Sequence, residues 1–171
     1  MPVTIPSAAA LTQLTPAEKR VAQQLVTGVS NTEGARNVNM SISTFSGHLA
    51  SIGRKFHIES RTGRPARAHA VLASQQVAPP PAPSDVPDFT PEELRLLRAI
   101  ALHPDTSGLA RSAGIAPPDV RAQVAALVAR TGADNATQLV GWGHAWRLLP
   151  GNESGAGTRD ARDDSPPRPH P

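Results

Sequence analysis

Residues 14–56 read LTPAEKRVAQQLVTGVSNTEGARNVNMSISTFSGHLASIGRKF, and this stretch decides the fold. It opens with Thr15, Pro16 and Glu18, which have the spacing of a helix N-cap, a first helical residue and the closing member of a capping box. Apolar residues then recur at helical spacing until Gly28, a residue type that commonly ends a helix. The pattern predicts a first helix of about three turns.

Two further helices are predicted in the rest of this stretch. Residues 30–33, SNTE, form a second capping box, and the short helix after it breaks at Asn39, because asparagine tolerates the left-handed backbone conformation. A third helix begins within residues 41–43 and carries an apolar stripe along one face. The stripe consists of Phe45, Leu49, Ile52 and Phe56.

The outer face of the third helix is left free when the apolar stripe packs inward. Small polar groups near its N-terminus and basic groups near its C-terminus suit a helix that enters the major groove of DNA, with Arg and Lys reaching phosphates. A solvated helix face without a ligand is the alternative that the pattern leaves open. The outer face contains Thr44, Ser46, Gly47, His48, Ser51, Arg54 and Lys55.

A shift of 75 residues superimposes two parts of the sequence without a gap. The matched pairs are Thr15-Pro16 on Thr90-Pro91, Glu18 on Glu93, Ala35-Arg36 on Ala110-Arg111, Thr62 on Thr137, and His69-Ala70 on His144-Ala145. Apolar positions coincide as well, and the turn at Asn39 falls on Gly114. We therefore predict an all-α protein made of two small tandem four-helix modules, the second a diverged copy of the first.

Composition divides the chain into five predicted segments. They are a disordered segment 1–13, a first helical module 14–74, a Pro-rich linker 75–88, a second helical module 89–150 and a disordered tail 151–171. The linker, QQVAPPPAPSDVPD, is predicted to be an extended spacer with almost no apolar side chain to bury. The positive charge belongs to the first module, which has eight Lys and Arg against three Glu, or +5, whereas the second has +1.

The first module resembles the LuxR/FixJ/NarL-type C-terminal helix-turn-helix domain. The residues that carry the resemblance are Leu14-Thr15-Pro16, Glu18, Gly28, Ser30-Asn31, Glu33, Ala35-Arg36, Ser41, Thr44, His48-Leu49, Ile52, Arg54-Lys55 and Ser60-Arg61-Thr62. The resemblance implies a helix-turn-helix DNA-binding domain of four helices, in which the third reads DNA and the fourth often pairs two copies. The second module, residues 89–150, resembles a degenerate helix-turn-helix domain of the same family. The candidate DNA-binding residues are Asn31, Arg36, Ser43, Thr44, Ser46, Gly47, His48, Arg54, Lys55 and Arg121.

The first module departs from the family pattern at several positions. Ser46 stands where the family commonly has Lys or another DNA-facing polar group, and Gly47 and Ala50 occupy positions that usually face DNA. Sequence reading is therefore expected to be weak, with mainly sequence-independent attraction to phosphates. Gly34 replaces the usual aliphatic side chain, and Gly34, Gly47 and Gly53 inside helices each cost about 0.5–1 kcal/mol relative to Ala. We therefore expect the first module to be only marginally stable alone. Since few residues precede Leu14, no receiver or autoinducer-binding domain is expected.

A fourth helix that begins at Pro65 is predicted in the first module. In the second module an aromatic stripe at helical spacing predicts the corresponding helix. The stripe consists of Leu139, Trp142, Trp146 and Leu149, and it belongs either to the core or to an interface between modules or chains. The linker could reach about 43 Å, and successive major-groove half-sites lie about 34–36 Å apart. One chain could therefore place both modules on neighbouring turns as a covalent pseudo-dimer.

Composition and spacing exclude several classes of function. The absence of Cys rules out disulfides, thiolate zinc sites and cysteine nucleophiles, and the six His lack metal-ligand spacing. No Gly-rich phosphate loop or nucleophile elbow occurs in the sequence. We therefore expect a protein that is not an enzyme and that binds no cofactor or metal. No apolar run approaches the roughly 20 residues of a membrane span, and we expect a bacterial, cytoplasmic protein.

The sequence is compatible with two functions. The first is a transcriptional regulator without a sensor domain that binds double-stranded DNA through the third helix. The second is a protein-interaction module that kept the fold but lost sequence-specific DNA binding, and that engages RNA polymerase, another regulator or itself. Pairing through the fourth helices, within a chain or in a homodimer, is compatible with both.

Overall fold

The computed structural model describes residues 13–150, which form eight α-helices, one 3-10 turn and no β-strand. The helices are α1 (Pro16–Thr27), α2 (Asn31–Asn37), α3 (Ile42–Lys55), α4 (Arg64–Ala73), α5 (Pro91–Leu102), α6 (Thr106–Ala113), α7 (Val120–Thr131) and α8 (Ala136–Ala145), with the 3-10 turn at Pro117–Asp119. The all-α prediction is confirmed. The two segments predicted to be disordered, 1–13 and 151–171, lie outside the described residues except for Gln13.

Side-chain caps start the helices where the sequence predicts them. The Thr15 hydroxyl accepts a hydrogen bond from Glu18 N (3.1 Å), and the Glu18 carboxylate accepts one from Thr15 N (2.9 Å), so the capping box of α1 is complete. Ser30 accepts a hydrogen bond from Glu33 N at the start of α2, and only this half of its predicted box forms. Gly28 ends α1 in the left-handed conformation, with φ of 82°.

The turn between the second and third helix has the same form in both halves of the chain. Asn39 has φ of 54°, and Gly114, which lies 75 residues further on, has φ of 69°. Behind each of them a backbone hydrogen bond closes the turn, from Met40 N to Ala35 O in the first half and from Ile115 N to Ala110 O in the second. The predicted left-handed break is therefore confirmed at both positions.

The predicted apolar stripe of α3 faces inward. Phe45 and Ile52 are buried, and Leu49 and Phe56 are partly buried against the same core, which α1 supplies from the other side through Val21, Ala22, Leu25 and Val26. The Phe45 ring also explains Gly34. A Cβ atom at Gly34 would lie 2.7 Å from Phe45 Cζ, so the large ring occupies the space that an aliphatic side chain at Gly34 would take.

The two halves of the chain pack directly against each other. Helix α4 contacts α8, α1 contacts α8, and α4 contacts α5, and the buried residues of both halves form one continuous cluster. We call this contact between the halves the α4/α8 seam. Burying these apolar surfaces together is the main source of stability that the seam provides.

The Pro-rich segment 75–88 is not an extended spacer free of contacts, and the prediction that it has almost nothing to bury is wrong. Val77 is 4% exposed, and Pro80 is buried where α8 presents Gly141 to it. The Trp146 indole Nε1 donates a hydrogen bond to Pro83 O (2.9 Å). The segment bends across the seam because proline rings and Val77 are themselves apolar surface that can be buried.

Both tryptophans pack within the chain. The ring centroids of Trp142 and Trp146 lie 5.6 Å apart, and Trp146 also contacts the ring of Phe89 at 6.0 Å. Leu139 and Leu149, the other members of the aromatic stripe, are buried. The stripe therefore packs within the chain, where the core and the contact between the two halves form one continuous cluster.

The gapless shift of 75 residues holds for the first helices but not for the fourth. Helix α1, Pro16–Thr27, corresponds residue by residue to α5, Pro91–Leu102, at a shift of 75. Helix α4, Arg64–Ala73, corresponds to α8, Ala136–Ala145, at a shift of 72. The predicted equivalences of Thr62 with Thr137 and of His69 with His144 are therefore wrong, because the first half has three more residues before its fourth helix.

Candidate nucleic-acid interface

The N-terminus of α3 carries a cluster of exposed hydroxyl groups. Ser41 caps the helix by accepting a hydrogen bond from Thr44 N (3.1 Å), and its own hydroxyl donates to Thr44 Oγ1 (2.8 Å). Ser43 Oγ lies 3.2 Å from Ser41 Oγ. These bonds hold the hydroxyls of Ser43 and Thr44 at the end of the helix where the unpaired N–H groups favour an anion such as a phosphate.

The middle of the outer face of α3 is smooth and open. Ser46, Gly47 and Ala50 are all exposed, and a Cβ atom added at Gly47 would meet no atom within 4 Å. Such a surface lets another backbone approach closely, but it has few side-chain groups that could contact base edges. His48 is half-buried at the side of this face.

Two of the predicted DNA-binding arginines are exposed at the ends of helices. Arg36 lies in the last turn of α2, and Arg54 in the last turn of α3. Neither takes part in the ion pairs found within residues 13–150. Arg54 also borders an open groove beside α3 whose other lining residues include Ser46, Ala50 and Ser60. Both guanidinium groups are therefore available to a phosphate backbone.

Lys55 does not lie on the outer face, and neither does Ser51, contrary to prediction. The Lys55 Nζ donates to Glu18 Oε1 (2.5 Å) and to Gln13 O (3.1 Å), and Ser51 Oγ donates to Glu18 Oε2 (2.8 Å). Glu18 is only 2% exposed. A buried carboxylate needs an opposite charge and hydrogen-bond donors, which Lys55 and Ser51 supply from α3.

The hydrogen bonds to Glu18 have a clear electrostatic consequence. Burial raises the pKa of the Glu18 carboxyl group, but the hydrogen bonds that it accepts, led by the one from Lys55, outweigh burial and lower the pKa to about 2. Lys55 thus joins the end of α3 to the first turn of α1. The sequence contains both residues but gives no signal that they meet.

Asn31 is also engaged inside the chain. Its Oδ1 accepts a hydrogen bond from Arg64 Nη1 (2.5 Å), and Arg64 Nη2 donates to Val29 O (2.8 Å). Burial, together with the charge of Arg67, lowers the pKa of the half-buried Arg64. Sequence reasoning missed Arg64, which ties the start of α4 to the start of α2.

The second half of the chain repeats part of this arrangement. Glu93 pairs with Arg130, and these two residues lie 75 positions beyond Glu18 and Lys55. Arg130 also donates to Asp88 O (2.7 Å) and lies over the ring of Phe89. Arg121, 75 positions beyond Ser46, is exposed in the first turn of α7, directly after the 3-10 turn that ends at Asp119.

The arrangement of α1 to α3 agrees with the comparison against protein families. Residues 12–64 match the model of GerE, bacterial regulatory proteins, luxR family. The match covers α1, α2 and α3, including the helix whose outer face is described above, and it ends at the first residue of α4. Residues 89–150 therefore lie outside the match. No curated protein and no solved structure matches the chain significantly.

Residues 12–64 are thus similar to the helix-turn-helix domain of a family of DNA-binding regulators. No helix within residues 13–150 is long and apolar enough to cross a membrane.

Proposed function

We propose that the chain is a regulator of transcription that places α3 in the major groove of double-stranded DNA. The observation that carries this proposal is the luxR-family match over the helices that present the outer face of α3. The net charge of +5 on residues 14–74 supports it, because a positive domain attracts the phosphate backbone. Since the ligand is bacterial DNA, we place the protein in the cytoplasm.

The proposed contacts follow from exposure and chemistry. Arg36 and Arg54 bind phosphates, and the hydroxyl groups of Ser43, Thr44 and Ser46 contact the backbone or base edges together with His48. Gly47 allows close approach of the helix. Asn31 contributes through the part of its amide that does not accept from Arg64, and Lys55 contributes mainly by holding α3 in place through Glu18.

We further propose that residues 89–150 are a degenerate second copy of the domain at 14–74, joined to it by 75–88. The shared helix bounds at the start of each half, the two left-handed turns and the two ion pairs at matching positions support this interpretation. Arg121 then supplies the contact of the second copy with DNA.

Salt dependence of binding tests the contacts. The logarithm of the affinity should fall with the logarithm of salt concentration, with a slope of about −0.9 for each phosphate neutralised. Arg54→Ala should weaken binding to all duplexes and reduce the slope by about 0.9. The matched control is Arg98→Ala, which removes an exposed arginine from α5 and should leave the slope unchanged. If Arg54→Ala and Arg98→Ala had the same salt slope, Arg54 would not neutralise a phosphate, and the proposed interface would be contradicted.

The second candidate is a protein-interaction module with this fold. The smooth, uncharged surface at Ser46, Gly47 and Ala50 favours it, as does the use of Lys55 inside the chain. The partner would then be RNA polymerase or another regulator. A chain that binds no duplex at low salt, and whose binding to such a protein is lost with Gly47→Arg, would support this candidate instead.

A further inference from the structure

The contacts across the α4/α8 seam come in reciprocal pairs. Helix α1 of the first half packs on α8 of the second, and α5, which corresponds to α1, packs on α4, which corresponds to α8. Helices α4 and α8 pack on each other in the middle. The first helix of each half therefore contacts the fourth helix of the other half. Such reciprocal contacts define a two-fold interface between like units.

Hydrogen bonds follow the same reciprocity. The Asn135 Nδ2, at the N-cap of α8, donates to Gly28 O (2.8 Å) at the end of α1. The Gly63 N–H, at the N-cap of α4, donates to Pro104 O (3.5 Å) beyond the end of α5. Each fourth helix therefore begins on the loop that follows the first helix of the other half.

The seam leaves no space for a second chain on these helices. Val71 of α4, and Leu139 and Val140 of α8, are fully buried. A Cβ atom at Gly141 would lie 2.5 Å from Val26 O and 2.7 Å from Pro80 Cγ, so α8 approaches the first half as closely as a backbone can. His69 Nδ1 and His144 Nε2 lie 2.8 Å apart across the same contact.

The two surfaces that this arrangement presents are not equivalent. Arg54 of α3 corresponds to Ala129 of α7 at the 75-residue shift, and Ser46 corresponds to Arg121. Thr44, an exposed hydroxyl at the N-terminus of α3, corresponds to Asp119, whose carboxylate repels phosphate. The net charges agree with this difference, since residues 14–74 have +5 and residues 89–150 have only +1.

We infer that the chain is a self-contained pseudo-dimer that binds one non-palindromic DNA duplex as a single chain. This inference rests on the proposed function. Helix α3 contacts one half of the site and α7, through Arg121, contacts the other half more weakly. Two-fold homodimers select symmetric sites, whereas two fused and diverged halves select an asymmetric one. The α4/α8 seam occupies in one chain the surface that a homodimer would need between chains.

Sedimentation equilibrium of the full chain, free and mixed with duplexes selected from a random library, tests this inference. We expect a free species of 17.9 kDa, one chain bound to each duplex, and selected sequences without two-fold symmetry. Arg121→Ala should remove hydroxyl-radical protection on one side of the site only, and Arg54→Ala on the opposite side.

A complex of two chains on a palindromic duplex would overturn the inference while leaving the proposed function intact. Loss of protection on both sides with Arg121→Ala would also overturn it. A chain that selects no duplex even at low salt would overturn the proposed function and the inference together, so the two failures are distinguishable.

Discussion

Gly141→Ala should destabilise the protein by forcing α8 away from the first half. The new methyl group would lie 2.5 Å from the Val26 carbonyl oxygen, which belongs to the backbone of α1 and cannot turn aside. Overpacking of this kind costs about 1–3 kcal/mol, whereas Ala in place of a helical Gly gains about 0.5–1 kcal/mol. The free energy of unfolding should therefore fall by about 1 kcal/mol, which is the difference between the middles of these two ranges.

Gly53→Ala is the matched control. Gly53 is also buried inside a helix, but its new methyl group would meet no atom closer than 3.8 Å, so only the gain in helix propensity remains. Thermal and urea unfolding of both variants give the comparison, at about 2–4 °C in Tm for each kcal/mol. We expect Tm to fall for Gly141→Ala and to rise for Gly53→Ala. A rise for both variants would refute the close packing of the α4/α8 seam.

Three further predictions concern the first half of the chain. Gly34→Ala alone should lower the free energy of unfolding by about 1–3 kcal/mol, because the new methyl group would clash with the Phe45 ring. Much of this loss should be recovered in combination with Phe45→Val, and a double-mutant cycle in which the two losses simply add would exclude the coupling. Because the folded pKa of Glu18 lies near 2, below its ordinary 4.5, its contribution is present above pH 4.5 and is lost as the pH falls towards 2. The wild type should therefore lose about 2–3 kcal/mol more than Glu18→Gln over this range in urea titrations, and Glu33→Gln should behave like the wild type. Ala50→Arg, which adds a positive charge at an exposed position of the outer face of α3, should tighten binding to any duplex and steepen the salt slope by about 0.9, and an unchanged slope would remove α3 from the interface.

The parts of the fold that could be predicted from the sequence depend on residues close together in the chain. Thr15 with Glu18, and Ser30 at the start of α2, cap their helices through neighbours three positions away. Asn39 and Gly114 mark turns through their own backbone preference. The apolar stripe of α3 could be found for the same reason, since helical periodicity is local.

The remaining features depend on residues that only the folded chain brings together. The pairing of Lys55 with Glu18 spans 37 positions, so a sequence pattern that placed Lys55 on the end of α3 could not show which way it turns. The shift of 72 between α4 and α8 arises in a loop, where no periodic signal fixes the alignment. The burial of Val77 and Pro80 depends on the α4/α8 seam, which composition does not reveal.

Binding of the full chain to random duplex DNA and to the DNA upstream of its own coding sequence, at about 50 and about 200 mM salt, tests the central claim most directly. If Arg36, Arg54 and Arg121 each neutralise one phosphate, the affinity should fall on the order of 40-fold between the two concentrations. We predict tight binding at the lower concentration, this steep loss, and a preference for the upstream DNA. Absence of binding at the lower concentration would contradict a DNA-binding regulator.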